Sequence, residues 1–269
     1  MTARRHSATV STRQRDRRRI AFPWYGGKVK FLGWLLPLLP ATPQYCEPFA
    51  GSASVLLNRD PSPLETLNDL DSGVVNFFRV LRDREDELVR LLARTPYSRE
   101  EFELSDDPSR RSLEDARRFY VRVRQSWGSK GVSWSFCVRA KTNHVRTWCN
   151  AQEKLHAAAE RLRRVQIEHA PALAIIGRYD HRDTLFYCDP PYPHESRVAP
   201  EAYRHEMTDD DHRALAEALR GARGKVAISG YRCALMDRLY RRWRRVDCPA
   251  VTHSVHKHRP LRESLWLNW

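Results

Sequence analysis

Leu185-Phe186-Tyr187-Cys188-Asp189-Pro190-Pro191-Tyr192 decides how this chain is read. The four apolar residues read as a buried strand. The next four put a carboxylate, two prolines and an aromatic ring at its carboxyl end, where open α/β sheets hold their ligands. Consecutive prolines fix φ and remove two backbone donors, so the chain leaves the sheet ladder and turns its carbonyls and flanking side chains toward a ligand. Such a set suits capture of an exocyclic amine on a flat base. Asp189 accepts one hydrogen bond, the Pro190 carbonyl accepts a second, Pro191 stiffens the turn, and Tyr192 offers a stacking face. Taken alone, the tetrapeptide also reads as a strand ending in a proline turn with a capping aspartate.

Outward from this stretch, strand and helix signals alternate at both ends of the chain. Strands are expected at 45–49, 64–67, 165–168, 185–188, 225–229, 246–249 and 264–269. Helices are expected at 29–39, 54–58, 73–94, 151–164, 171–179, 209–220 and 234–243, with a further one starting at Ser112 as a serine cap. This pattern predicts an α/β fold, a mostly parallel sheet with helices on both faces. Between 96 and 164 strand signals fade and charge rises. The expected organisation is a basic, disordered arm over 1–20, a sheet domain over 21–95 and 165–269, and an inserted helical unit over 96–164.

The second informative stretch is Glu47-Pro48-Phe49-Ala50-Gly51-Ser52, a strand ending in a small-residue turn before a helix. Such a turn lets a cofactor approach the backbone closely. Asp69 follows Gly51 by 18 positions, at the end of the next strand, where nucleotide-type folds keep the acid that bonds ribose hydroxyls. The turn is neither G-x-G-x-x-G nor a phosphate loop ending in Gly-Lys-Ser/Thr, which disfavours dinucleotides and phosphoryl transfer. A cofactor with a ribose and no phosphate fits better, and S-adenosyl-L-methionine is the common one. Ahead of the first strand, Trp24, Tyr25, Gly26, Gly27 and Lys28 add rings to lie over a sulfonium or adenine, glycines for close approach, and a lysine to anchor a carboxylate or a DNA phosphate.

In this order, Trp24 to Lys28, Glu47 to Ser52, Asn68-Asp69 and Asp189 to Tyr192 resemble the motifs of the Dam-type (alpha-group) DNA adenine-N6 methyltransferases. His205 to His212, Ile228-Ser229-Gly230-Tyr231 and Leu265-Trp266-Leu267-Asn268 are similar as well. The likeness runs from Phe22 to Trp269 and is weakest in the middle third. One departure is Ala53, where many relatives carry a second glycine. The resemblance implies a Rossmann-like methyltransferase fold and cofactor contacts at Trp24, Tyr25, Lys28, the turn from Glu47 to Ser52, Asp69 and Asp189. It also implies that Asp189, Pro190 and Tyr192 handle the target adenine. The same scaffold acting on cytosine N4 or RNA, or a silent DNA-binding relative, are the alternatives. Asp rather than Ser at position 189 leans toward adenine by the same resemblance.

The formal net charge of +14 favours a polyanionic partner, double-stranded DNA on this reading. Between Trp127 and Trp148 aromatic, basic and amide groups interleave, and Lys130, Arg139, Lys141, Asn143 and Arg146 are the expected DNA contacts. The bland alternative is a charged helical face over a small tryptophan core. Six cysteines without a C-x-x-C pair argue against a zinc site, and Cys46 and Cys188 read as core residues. Lys257, Arg259 and Arg262 would repel a cation from His253, His256 and His258. Asp209-Asp210-Asp211 after Thr208 reads as a helix first turn, so no metal is expected. No apolar run spans a membrane and none marks export, so a cytoplasmic, nucleoid-associated monomer is expected, with a cognate restriction endonuclease as the partner a modification enzyme would have.

Overall fold

The structure, a computed structural model, describes residues 18–139, 143–197, 204–253 and 260–269. Lys141, His256, His258, Lys257, Arg259 and residues 1–17 of the basic arm lie outside the described residues, as does the His253 side chain. Seven strands form one sheet: β1 (Gln44–Glu47), β2 (Leu64–Asn68), β3 (Val165–Glu168), β4 (Thr184–Cys188), β5 (Lys225–Tyr231), β6 (Arg244–His253) and β7 (Pro260–Leu267). Their order is β3-β2-β1-β4-β5-β7-β6. The five strands from β3 to β5 are parallel, and β7 inserts antiparallel between β5 and β6. This is the α/β architecture expected from the sequence.

Alternate strand residues face two layers, as the two-residue period of a strand requires. Tyr45, Leu185, Tyr187 and Ala227 join one core with helix α3 (Ser72–Asp83). Cys46, Phe186, Cys188, Val226 and Ile228 join the other with α9 (Ala172–Tyr179), α10 (Asp209–Gly221) and α11 (Ala234–Leu239). Both faces are therefore covered, which is why the strands β1 and β4 read as apolar runs. Strand order reverses between β1 and β4, so their carboxyl ends open a crevice at the middle of the sheet.

Several boundaries differ from the sequence expectation. The helix expected over 29–39 is a tight turn at Lys28–Lys30, a short helix α1 (Leu32–Leu35) and another tight turn at Leu36–Leu38, because Pro37 removes an amide. The 73–94 helix is two, α3 and α4 (Glu85–Ala93), broken at Arg84 with φ −139° and ψ 40°. Ser112 is not a cap: α6 (Ser112–Gln125) starts after Arg111 with no capping side chain, while Ser98 caps α5 (Arg99–Leu104) by accepting from the Glu101 amide. The 151–164 helix is α7 (His144–Gln152) followed by α8 (Leu155–Leu162). The closing hairpin is longer than expected because its edge strand, rich in arginine, lacks an apolar signature. Thr208 caps α10 as expected, in a reciprocal pair with Asp211. Arg18 and Arg19, counted with the disordered arm, are instead bonded to the Val29 and Leu57 carbonyls, and the Arg19 amide donates to Asn58.

Helices of the middle third pack directly on the sheet domain's helices. Ala116, Tyr120, Val121 and Val123 of α6, Trp148 of α7 and Leu155, Ala158 and Leu162 of α8 share one core with α3 and α4. An aromatic cluster of Phe22, Phe77, Phe78 and Phe119 marks the join. A second link is ionic. Glu65 of β2 is 1% exposed and receives hydrogen bonds from Arg59 at 3.1 Å and from Arg161 of α8 at 2.7 Å. Among the described residues no helix is long and apolar enough to cross a membrane.

Removing one partner of a buried ion cluster strands the others in low dielectric. Glu65→Ala should therefore cost about 3–5 kcal/mol of unfolding free energy, read by urea denaturation.

Candidate active site

The crevice between β1 and β4 holds a cavity of about 280 Å³. Its walls include Trp24, Tyr25, Gly26, Gly27, Pro48, Phe49, Ala50, Gly51, Ser52, Asp69 and Asp189 from the sequence-derived set. Two further walls come from elsewhere: Phe119, Arg122 and Lys130 of the middle third, and Arg204 to Met207.

The turn after β1 is fixed from beneath by β2. Asn68 donates to the carbonyls of Pro48 at 2.9 Å and Ala170 at 3.0 Å and accepts from the Ala170 amide at 2.9 Å. Asp69 accepts from the amides of Gly51 at 2.8 Å and Asp71 at 2.9 Å. Burial raises the Asp69 pKa against the pull of those amides. Each of its oxygens keeps a second lone pair for a ligand hydroxyl. Gly51 has φ +48°, and a Cβ there would stand 2.8 Å from the Trp24 ring. Ala53 shares the left-handed conformation, with φ 51°, at the start of α2 (Ser54–Asn58). A side chain is disfavoured in that region, so glycine would sit at position 53 without that cost.

Two residues expected to touch a cofactor lie behind the wall. Glu47 is 2% exposed and accepts from Tyr45 Oη at 2.6 Å. Burial pushes its carboxyl up to about 8, so it is a neutral prop at pH 7. Lys28 is 3% exposed, and its ammonium is directed inward, to the Gly26 carbonyl at 2.8 Å, Asp189 Oδ2 at 2.7 Å and Glu263 at 3.7 Å. It is therefore no phosphate anchor. Burial lowers the Lys28 pKa, but Asp189 and Glu263 outweigh it and hold it raised.

Asp189 is the hub. Its Oδ1 accepts from Ser229 Oγ at 2.7 Å and from Tyr192 Oη at 3.2 Å, while Oδ2 takes Lys28. Tyr192 differs most from expectation. Its ring is 5% exposed, edge-on to Tyr231 at 4.9 Å, with the Lys28 ammonium 5.0 Å from its centroid. The open stacking face expected for it is closed in this structure. The same hydroxyl, with one proton to give, is also within hydrogen-bond contact of Glu263, so it bridges the two carboxyl groups. Burial pushes the Glu263 carboxyl up to about 7 against the pull of Lys28. In the sequence Ser229 stands out only within the Ile228-to-Tyr231 segment, and no local pattern marks Glu263. Only the Tyr231–Glu263 cross-strand pairing of β5 and β7 brings that acid beneath Asp189.

The expected DNA contacts separate. Lys130 lines the cleft, its ammonium 4.8 Å from the Tyr25 ring centroid. Asn143 caps α7 by accepting from the Arg146 amide at 2.8 Å. Arg139 and the Arg146 side chain are exposed. Trp148 is buried as core and donates to the Thr95 carbonyl, whereas Trp127 and Phe136 are exposed. Cys46 and Cys188 are buried, as expected. Among the described residues one trio has metal-ligand spacing, Glu85, His156 and Glu160. None of the three lines the cleft, Glu85 bonds His156, and Glu160 pairs with Arg163.

The turn gives a paired test. Gly51→Ala should destabilise the fold by about 1 kcal/mol or more through φ and the Trp24 clash, and Ala53→Gly should stabilise it by about 0.5–1 kcal/mol by relieving the left-handed alanine. Urea midpoints of the two variants moving in the same direction would contradict this account of the turn.

Comparison with known proteins agrees with the geometry. A family model of the D12 class N6 adenine-specific DNA methyltransferases matches residues 24–256. A DNA adenine methylase of Salmonella typhi is 28% identical over 238 residues, 81% of this chain and 82% of its own length. One of Vibrio cholerae serotype O1 is 29% identical over 244 residues, 84% of this chain and 86% of its own. That of Escherichia coli K12 is 35% identical over 101 residues, 34% of this chain and 36% of its own. With a D12 model covering most of its length and Asp189 seated at the β1–β4 crevice, the chain belongs to the D12 class of N6 adenine-specific DNA methyltransferases.

Proposed function

We propose that this enzyme takes its methyl group from S-adenosylmethionine bound in the β1–β4 cleft and places it on N6 of an adenine extruded from duplex DNA. The observation that carries the reading is Asp189. Its carboxylate is held by Lys28, Ser229 and Tyr192 and borders a cavity whose other acids are Asp69, Asp71 and Glu206. The donor set suits that cofactor. Trp24, Phe49 and Phe119 supply apolar surface for a purine, and Asp69 offers acceptors to ribose hydroxyls. The Gly51 turn allows close approach, and the acids favour a cationic ligand. When bound, the cofactor supplies an electrophilic methyl carbon on a sulfonium.

The chain's residues then act on the amine. Extrusion of the base costs about a few kcal/mol. Asp189 and the Pro190 carbonyl accept the two N6 hydrogens, which favours a pyramidal nitrogen with its lone pair aimed at the methyl. No covalent enzyme intermediate is needed. The contribution is positioning together with prearranged charge. Tyr192 braces Asp189 from below through its hydroxyl, with its ring packed edge-on against Tyr231.

We assign 21–95 and 165–269 to the catalytic unit and 96–164 to target recognition. In the latter, exposed Arg139 and Arg146 contact phosphates or base edges and exposed Trp127 and Phe136 supply aromatic surface. Lys130, in the cleft wall, faces the cofactor side of the DNA.

Asp189→Asn keeps the shape and removes the charged acceptor. Turnover should fall by on the order of 10²–10³-fold, with a smaller change in cofactor affinity. The assay is labelled S-adenosylmethionine with duplex DNA, digestion to nucleosides and identification of the labelled one. Label in methylcytidine, or wild-type turnover in Asp189→Asn, would overturn the assignment.

A further inference from the structure

Methylation of an amine leaves a proton to dispose of, and the fold holds a buried cluster with one negative charge in excess of neutral. Lys28 stands between two carboxylates, Asp189 and Glu263, which are 20% and 2% exposed at their side chains. Tyr192 Oη bridges the same two acids. We propose that Glu263 is the terminal proton acceptor of the reaction, reached from N6 through Asp189 and the Tyr192 hydroxyl. This rests on the functional reading above.

The step balances. N6 forms a bond to the methyl carbon as the carbon–sulfur bond breaks, and that electron pair stays on sulfur. N6 is left cationic with one proton in excess. Asp189 Oδ1 takes that proton and passes it to Tyr192 Oη, while the phenolic proton moves to Glu263. The cluster changes from one ammonium with two carboxylates to one ammonium with one carboxylate, and so becomes neutral. In a buried site that change is favourable, because net charge is costly there. The Lys28 ammonium keeps its Asp189 partner throughout. Ser229 contacts the same Asp189 Oδ1, which fixes that oxygen beside the Tyr192 hydroxyl.

Among the described residues, the ionisable groups that act on Glu263 are consistent with the role. Lys28 favours its ionised form, while Asp189 disfavours a second nearby anion. Tyr192, Tyr187 and Tyr231 are held neutral by burial, so each can donate or relay and none competes as an anion. Burial sets the Glu263 carboxyl at about 7, where it is partly ionised and able to accept. The sign follows: an acceptor must be deprotonated, so the chemical step should accelerate as pH rises through that value.

The experiment is single-turnover methylation of duplex DNA by rapid quench across pH, with carboxyl protonation followed by difference infrared spectroscopy of the protein alone. Wild type should show a rate that rises with pH about a midpoint near 7, and a carboxyl band titrating there. In Glu263→Gln both should vanish and the plateau rate should fall by on the order of 100-fold, with cofactor binding retained. Glu263→Asp should restore the rise. Tyr192→Phe, which cuts the relay and keeps the acid, should lose the rise in rate and keep the band, and it carries the test if Glu263→Gln does not fold. A rise that persists unchanged in Glu263→Gln or Tyr192→Phe overturns the relay and leaves the functional reading standing. A wild type that forms no methyladenosine at any pH overturns the functional reading itself.

Discussion

The Lys28–Asp189 ion pair is the constraint on which the site depends. It joins a glycine turn near the start of the chain to the end of the central strand β4, 161 positions away in sequence. A buried ammonium without a partner would be expelled or neutralised, and a buried carboxylate would take up a proton. Together they offset each other's charge, at the cost of desolvating both. Lys28 therefore fixes where Asp189 points, and Asp189 fixes how the Trp24–Lys28 turn closes over the cofactor end of the cleft. The turn after β1 has an independent tether through Asn68 and Asp69. The two edges of the pocket are thus set by different strands and meet at the reversal of strand order.

Much of this was legible in the sequence. Leu185 to Cys188 reads as a strand because both its faces are covered, and Asp189 stands at its carboxyl end because two prolines forbid its continuation. Gly51 and Asp69 are recognisable by spacing, and the structure joins them by a hydrogen bond. What could not be read depends on contacts between distant segments. Lys28 resembles a surface lysine until its carboxylates are placed. Glu263 sits in a strand whose partners are decided by β7 running antiparallel between β5 and β6, and no local pattern announces that pairing. The direction of Tyr192 is also non-local: a ring after Pro-Pro can face a ligand or turn under the strand, and Glu263 and Asp189 decide for the latter. The Arg84 break has no glycine or proline to mark it, and Ser112 mimics a cap in composition alone.

Charge in this protein is distributed by burial rather than by count. The excess of arginine would suggest a uniformly basic surface, yet Arg59 and Arg161 are spent on Glu65, Arg117 on Glu101 and Glu114, and Arg197 on Glu206. These pairs fasten helices to one another and to β2. The cleft lining sets the acids Asp69, Asp71, Asp189 and Glu206 against Arg122, Lys130 and Arg204, so it is closer to electrical balance than the molecule as a whole.

Phe119, Arg122 and Lys130 line the β1–β4 cavity from the same segment that carries the exposed Trp127, Phe136 and Arg139. Nucleic acid pressing on the outer side of that segment and a small molecule touching its inner side meet the same few residues. Thermodynamic reciprocity then requires that whatever either visitor does to the other's affinity is returned in equal measure. Ligands on the two sides of that segment would occupy linked sites, with the thickness of a single loop and helix between them.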